Sequence, residues 1–199
     1  YRNPVGIITK GVLVQRDLDI LRRLHQEASV HVYFSIPFSD DEVARKVEPH
    51  APSSRKRFEA MATLADAGIP TGISLSPIIP GLNDEDMPDL LARAKQAGAG
   101  EAMATLLRLS GSVEPVFMER MAAAFPDRMA KMTSRIREVR GGALSEGAFF
   151  DRHRGSGPYW VMIEQLFQIS RRKAGLSALC DMPVPATFRR PGLEQTALF

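Results

Sequence analysis

Two matching helix exits, thirty residues apart, constrain the fold of this chain more than any other feature. Ala67-Gly68 and Ala97-Gly98 each end an amphipathic stretch and lead at once into a short apolar run. Glycine takes the left-handed conformation that closes a helix, so each pair reads as a stop signal. About thirty residues is the length of one strand plus one crossover helix, and such units wire into parallel sheets. Residues 5–9, 30–36, 71–78 and 102–107 are apolar runs of strand length. Helical stripes lie between them. Leu18, Leu21 and Leu24 mark a helix over 13–26, and Asp40 and Asp41 can cap a short one running to Val47. Phe58, Met61, Ala62 and Ala65 form one face of a longer helix starting near Ser53 or Ser54. Asn83 and Asp84 stand where the caps of the next helix belong. The expected class is α/β, either part of a (β/α) barrel or an open doubly wound sheet.

The character changes after about residue 112, giving three expected segments: 1–112 as the partial barrel, 113–175 as a helical basic extension, and 176–199 as a flexible tail. Two helices, over 113–124 and 127–140, are split at Pro126, and a third covers 159–173. Between Arg128 and Lys173 stand ten Lys or Arg against four acids, although the whole chain carries only +3. Arg128, Lys131 and Arg135, at i, i+3 and i+7, make one basic stripe, which is either a solvated helix face or a surface for phosphates. Pro183, Pro185 and Pro191 suit an extended tail.

Several chemistries are poorly supported. The four histidines lack metal-ligand spacing, and neither a Walker phosphate loop nor a dinucleotide glycine fingerprint occurs. Cys180 is the single cysteine, so an internal disulfide is excluded and a cytoplasmic setting is the default expectation. No apolar run reaches the roughly 18 residues of a membrane-spanning helix. In parallel α/β folds chemistry sits at the carboxyl ends of the strands. That rule selects Lys10 and Ser35, the 78–81 turn with Ile79 and Pro80, and Arg108. A lysine and an arginine on one rim form an anion-binding mouth. Lys10 also suits a Schiff-base or anion-binding lysine of a barrel aldolase or isomerase acting on a phosphorylated metabolite. A non-catalytic module binding DNA is a third alternative.

The last residues, Gln195-Thr196-Ala197-Leu198-Phe199, resemble the peptide by which bacterial DNA enzymes hook onto the replicative sliding clamp. Gln195 would supply directional hydrogen bonds, and Leu198 and Phe199 would fill an apolar groove. A wider resemblance rests on 5–10 (VGIITK), 47–53 (VEPHAPS) with Arg57, 67–72 (AGIPTG) and 76–84 (SPIIPGLND). These strings are similar to the second half of bacterial radical SAM proteins, in the branch often labelled DNA repair photolyase and related to spore photoproduct lyase. The resemblance implies a partial barrel holding a 4Fe-4S cluster and S-adenosyl-L-methionine, which is cleaved reductively to a 5′-deoxyadenosyl radical. It further implies that Lys10 holds the cofactor's carboxylate, that Ser35 hydrogen-bonds nearby, and that Ile79 and Pro80 flank the adenine. The family's three-cysteine loop is absent from these 199 residues. The chain opens at Tyr1, directly before a strand, so a fragment is expected, with the cluster ligands upstream and no activity on its own.

Overall fold

The computed structural model describes residues 1–144, 154–179 and 186–189. Its centre is a five-stranded sheet in the order β1-β2-β3-β4-β5, and every neighbouring pair is parallel. The strands are β1 Val5–Thr9, β2 Val30–Ser35, β3 Thr71–Ile78, β4 Glu101–Leu106 and β5 Ser177–Ala178. A parallel sheet whose strands follow chain order needs crossovers of one hand, which places the helices on one side and starts the closure of a barrel. The fold is α/β, compatible with a partial (β/α) barrel.

Seven α-helices occur among the described residues: α1 Leu18–Glu27, α2 Asp41–Val47, α3 Ser54–Asp66, α4 Met87–Gln96, α5 Val113–Ala124, α6 Pro126–Val139 and α7 Gly157–Lys173. Asp40 caps α2 by accepting from the backbone N–H groups of Glu42 and Val43, and Ser53 caps α3 by accepting from Lys56. The two Ala-Gly exits close α3 and α4, with Gly68 at φ 79° and Gly98 at φ 87°. None of these helices is long and apolar enough to cross a membrane.

Three local expectations are revised. The first helical stretch begins as a 3-10 helix, Val12–Asp17, and only then becomes α1. Asn83 does not cap a helix through its side chain; it ties two strand-end loops together, as described below. The segment after α7 adds a fifth strand, whose Ser177 N–H donates to Gly100 O at 2.9 Å. That makes α7 the helix leading into β5, and its Trp160 and Ile163 belong to the main core.

The sheet is two-faced. Val30, Val32 and Phe34 of β2, Ile73 and Leu75 of β3, and Ala102 and Leu106 of β4 pack with Leu21, Met61, Leu64, Leu90 and Leu91 from the helices. Side chains alternate along a strand, so the residues between them point to the opposite face. Those are Gly6 and Ile8, then His31, Tyr33 and Ser35, then Gly72, Ser74 and Ser76, then Glu101, Met103 and Thr105. This face is mostly polar, as suits the inside of a barrel that receives a ligand.

A second apolar cluster forms a roof beyond the carboxyl ends of the strands. Phe38, Ile79, Leu82, Leu107 and Leu109 from the strand-end loops pack there against Met121, Phe125, Met132 and Ile136 of the α5–α6 hairpin.

Candidate functional site

The carboxyl ends of β1 and β2 are joined by a charged network. Arg57, in the first turn of α3, is 1% exposed although it carries a full charge. Burying a guanidinium is tolerable only if its nitrogens are all paired. Here Nε donates to Pro52 O at 2.8 Å, Nη1 to Ser35 O at 2.6 Å and Nη2 to Glu48 Oε2 at 2.7 Å. The other oxygen of Glu48 accepts from Lys10 Nζ at 2.6 Å. Lys10 thus follows β1 with its side chain 43% exposed, while Glu48 beneath it is 10% exposed. Two cations share one anion, so the rim carries one net positive charge.

A hydroxyl row continues from this network along the polar face. Ser35 Oγ donates to Ser76 O at 2.8 Å. Ser74 Oγ donates to Ser76 Oγ at 3.0 Å, and Thr105 Oγ1 reaches the same oxygen at 2.8 Å. The row spans β2, β3 and β4, and Ser76 and Thr105 are partly exposed. The next turn is braced by Asn83, whose Nδ2 donates to Pro37 O at 2.7 Å and Pro77 O at 3.0 Å, while its Oδ1 accepts from Ile79 N at 2.7 Å. Asp84 accepts from Gly81 N at 2.7 Å and from the Tyr159 hydroxyl. Burial, with the Asp84 bond second, pushes the Tyr159 phenol above its ordinary pKa.

The residues expected at the rim therefore divide. Lys10 and Ser35 meet through Glu48 and Arg57, and Asn83 ties the loop after Ser35 to the turn holding Pro80. Ile79 and Pro80 do stand at the strand ends, but both are buried, and Ile79 packs into the roof rather than offering an open apolar platform. Arg108 is exposed two residues beyond β4. Lys131 pairs with Glu85 at 3.5 Å and Arg135 with Glu138 at 2.6 Å, while Arg128 is exposed on the same helix. Arg135 also stacks 4.1 Å from the Tyr159 ring centroid. Gln195, Leu198, Phe199 and Cys180 lie outside the described residues. Ser74, Ser76 and Thr105 are additions; the alternation of hydroxyl and apolar residues in 73–76 signals the first two, whereas Thr105 is a lone hydroxyl among Met103, Ala104 and Leu106 and carries no such signal.

Residues 2–94 match the Radical SAM superfamily. The matched segment contains β1 to β3, the Lys10–Glu48–Arg57–Ser35 network and the Asn83 brace. An uncharacterised protein of Mycobacterium tuberculosis is 33% identical over 138 residues, covering 68% of this chain and 39% of that protein. One of Methanocaldococcus jannaschii is 36% identical over 83 residues, 42% of this chain and 31% of the relative. A protein of Pseudomonas phage M6 named radical SAM Nα-GlyT isomerase is 26% identical over 176 residues, 87% of this chain and 34% of the phage protein. The chain thus spans well under half the length of the curated relatives it matches.

Radical SAM chemistry needs a cluster and a cofactor, and the two fit this chain differently. Three thiolates cannot come from one cysteine, and among the described residues no group of three or more His, Cys, Asp or Glu converges on a metal position. The rim does fit the amino-acid end of the cofactor: it offers a half-exposed ammonium, a net positive charge and neighbouring hydroxyls.

Proposed function

We propose that this chain is the cofactor-holding part of a radical SAM enzyme of the DNA repair photolyase-like branch, acting in DNA repair or modification. Bound S-adenosyl-L-methionine would supply, on reductive cleavage, a radical able to abstract hydrogen. Lys10 would hold the carboxylate by a charge-assisted hydrogen bond. Ser35, with its carbonyl pinned by Arg57 and its hydroxyl proton given to Ser76 O, would accept a hydrogen bond from the adjoining part of the ligand. The turn bearing Ile79 and Pro80 would border the adenine through its backbone, since the Ile79 side chain packs into the roof, and Arg108 would add positive charge at the mouth. The cluster ligands would come from outside these residues.

The observation that carries this reading is the Lys10–Glu48–Arg57–Ser35 network, placed at strand ends inside the segment that matches the superfamily. The phage relative's name, which joins radical SAM chemistry to an isomerisation, supports radical chemistry over the Schiff-base aldolase alternative. The DNA assignment rests on the basic α6 stripe. Its ion pairs with Glu85 and Glu138 lie at the surface, where such pairs are weak and exchangeable, so the stripe can still meet phosphates. The clamp assignment rests on Gln195, Leu198 and Phe199.

The test uses the full-length protein, reconstituted without air. It should bind an oxygen-sensitive iron–sulfur cluster and release 5′-deoxyadenosine under reduction, and Lys10→Met should lower cofactor affinity by about tenfold or more. A colourless protein that leaves the cofactor intact would overturn the enzyme assignment. Deleting residues 195–199 should abolish binding to a bacterial sliding clamp while leaving cofactor cleavage unchanged.

A further inference from the structure

The Glu48–Arg57 pair beneath Lys10 helps to mark the site, and its geometry points to a specific task. We propose that Glu48, locked by Arg57, is the positioning residue that aims the Lys10 ammonium at the carboxylate of the bound cofactor; this rests on the proposed cofactor site. Lysine is a point charge on a stem with four rotatable bonds, so by itself it holds no direction at a half-exposed rim. Glu48 removes that freedom. One of its oxygens is fixed at 2.7 Å from Arg57 Nη2, and the other meets Lys10 Nζ at 2.6 Å. Arg57 is in turn immobile, because its remaining bonds go to Ser35 O and Pro52 O and it is 1% exposed. One guanidinium therefore sets two elements of the rim at once: the direction of Lys10 through Glu48, and the end of β2 through the Ser35 carbonyl.

Charge counting sets the occupant's chemistry. Arg57 and Lys10 contribute two positive charges and Glu48 one negative. Glu48 cannot neutralise Lys10 fully while it is shared with Arg57, so the ammonium keeps an unmet demand for one anionic oxygen on its exposed side. A carboxylate meets that demand with one charge. A phosphate would bring close to two and would crowd Glu48.

The experiment compares two ligands on the full-length, cluster-loaded protein: S-adenosyl-L-methionine and its decarboxylated analogue, each measured by equilibrium binding. The quantity read is the preference for the carboxylated form. Lys10→Met and Glu48→Gln should each reduce that preference about tenfold, and the double variant should reduce it no further than Lys10→Met alone. Glu48→Asp, which keeps the charge but shortens the reach, should restore part of it. Both ligands report on the same folded molecules, so partial loss of folded protein leaves the ratio unmoved, and a purely structural role would weaken both ligands alike. If Lys10→Met shifts the preference and Glu48→Gln does not, or raises it, the positioning role is wrong and the cofactor site stands. If Lys10→Met leaves the preference intact, the site and the inference fall together.

Discussion

At the scale of single residues, the least expected group lies lower on the polar face. The carboxylate of Glu101, 4% exposed, accepts from the Tyr33 hydroxyl on one oxygen and lies 2.9 Å from His31 Nδ1 on the other. Tyr33 reaches it by lying across Gly72, where a Cβ would come within 2.6 Å of the ring. Tyr33→Phe removes one partner from a buried carboxylate and should cost about 1–3 kcal/mol in urea unfolding. Burial first, and the Glu101 bond second, hold the Tyr33 phenol above its ordinary value of 10.0. Its stabilising contribution is complete below that value and is lost as pH rises beyond it, because the unfolded chain releases the proton first. Alkaline titration should therefore leave the Tyr33 and Tyr159 phenols protonated at about pH 11, where an ordinary tyrosine has ionised, with stability falling over the same range. A titration completed near pH 10 would contradict the buried Tyr33–Glu101 contact. Lys10 and Ser35 were legible from the sequence because a strand end is a position that pattern alone can find. Glu48 and Arg57 were visible only as letters in a motif; a loop glutamate and a helix arginine show no sign of meeting until the fold brings them together.

At the scale of elements, the two Ala-Gly exits did more than end helices. Gly98 combines φ 87° with a close approach: a Cβ there would lie 2.5 Å from Ala65 Cβ on α3. Gly98→Ala should thus cost more than a turn glycine alone, about 2–4 kcal/mol, adding overpacking to left-handed strain. Ala65→Gly in the same protein should recover the packing share and leave the φ share, which a thermal melt of the double variant would separate. If Gly98→Ala costs as little as an exposed surface change, the helix exit is not packed as described. Strand and helix positions followed from periodicity because each long element has to bury one face. β5 escaped that logic: two residues show no alternation, and Ser177–Ala178 is defined only by pairing with Glu101 and Ala102. The polar face was latent in the alternation of β2 to β4, but buried parallel strands usually read as continuous apolar runs, and that expectation hid it.

At the scale of the whole molecule, the roof decides how the rim is held. Ile136 and Met132 of α6 are 3% and 1% exposed and pack with Ile79 and Leu107 from the strand-end loops. Ile136→Ala should destabilise by about 2–4 kcal/mol and loosen the 78–81 turn, read as faster amide exchange there. Changing Arg128, Lys131 and Arg135 together to Gln should weaken duplex DNA binding and flatten its salt dependence by about one unit per lost phosphate contact. An unchanged salt slope would remove α6 as the contact surface. The helix bearing that stripe also rests on Gly81: the stems of Lys131 and Arg135 lie 3.4 and 3.5 Å from where a Cβ of Gly81 would stand. The stripe proposed to meet phosphates is thus seated, through the stems of Lys131 and Arg135, on the turn that borders the strand ends. On the proposed contact with a nucleic acid, whatever ligation at the mouth does to that grip must return to the mouth by the same factor, because linkage has no preferred direction.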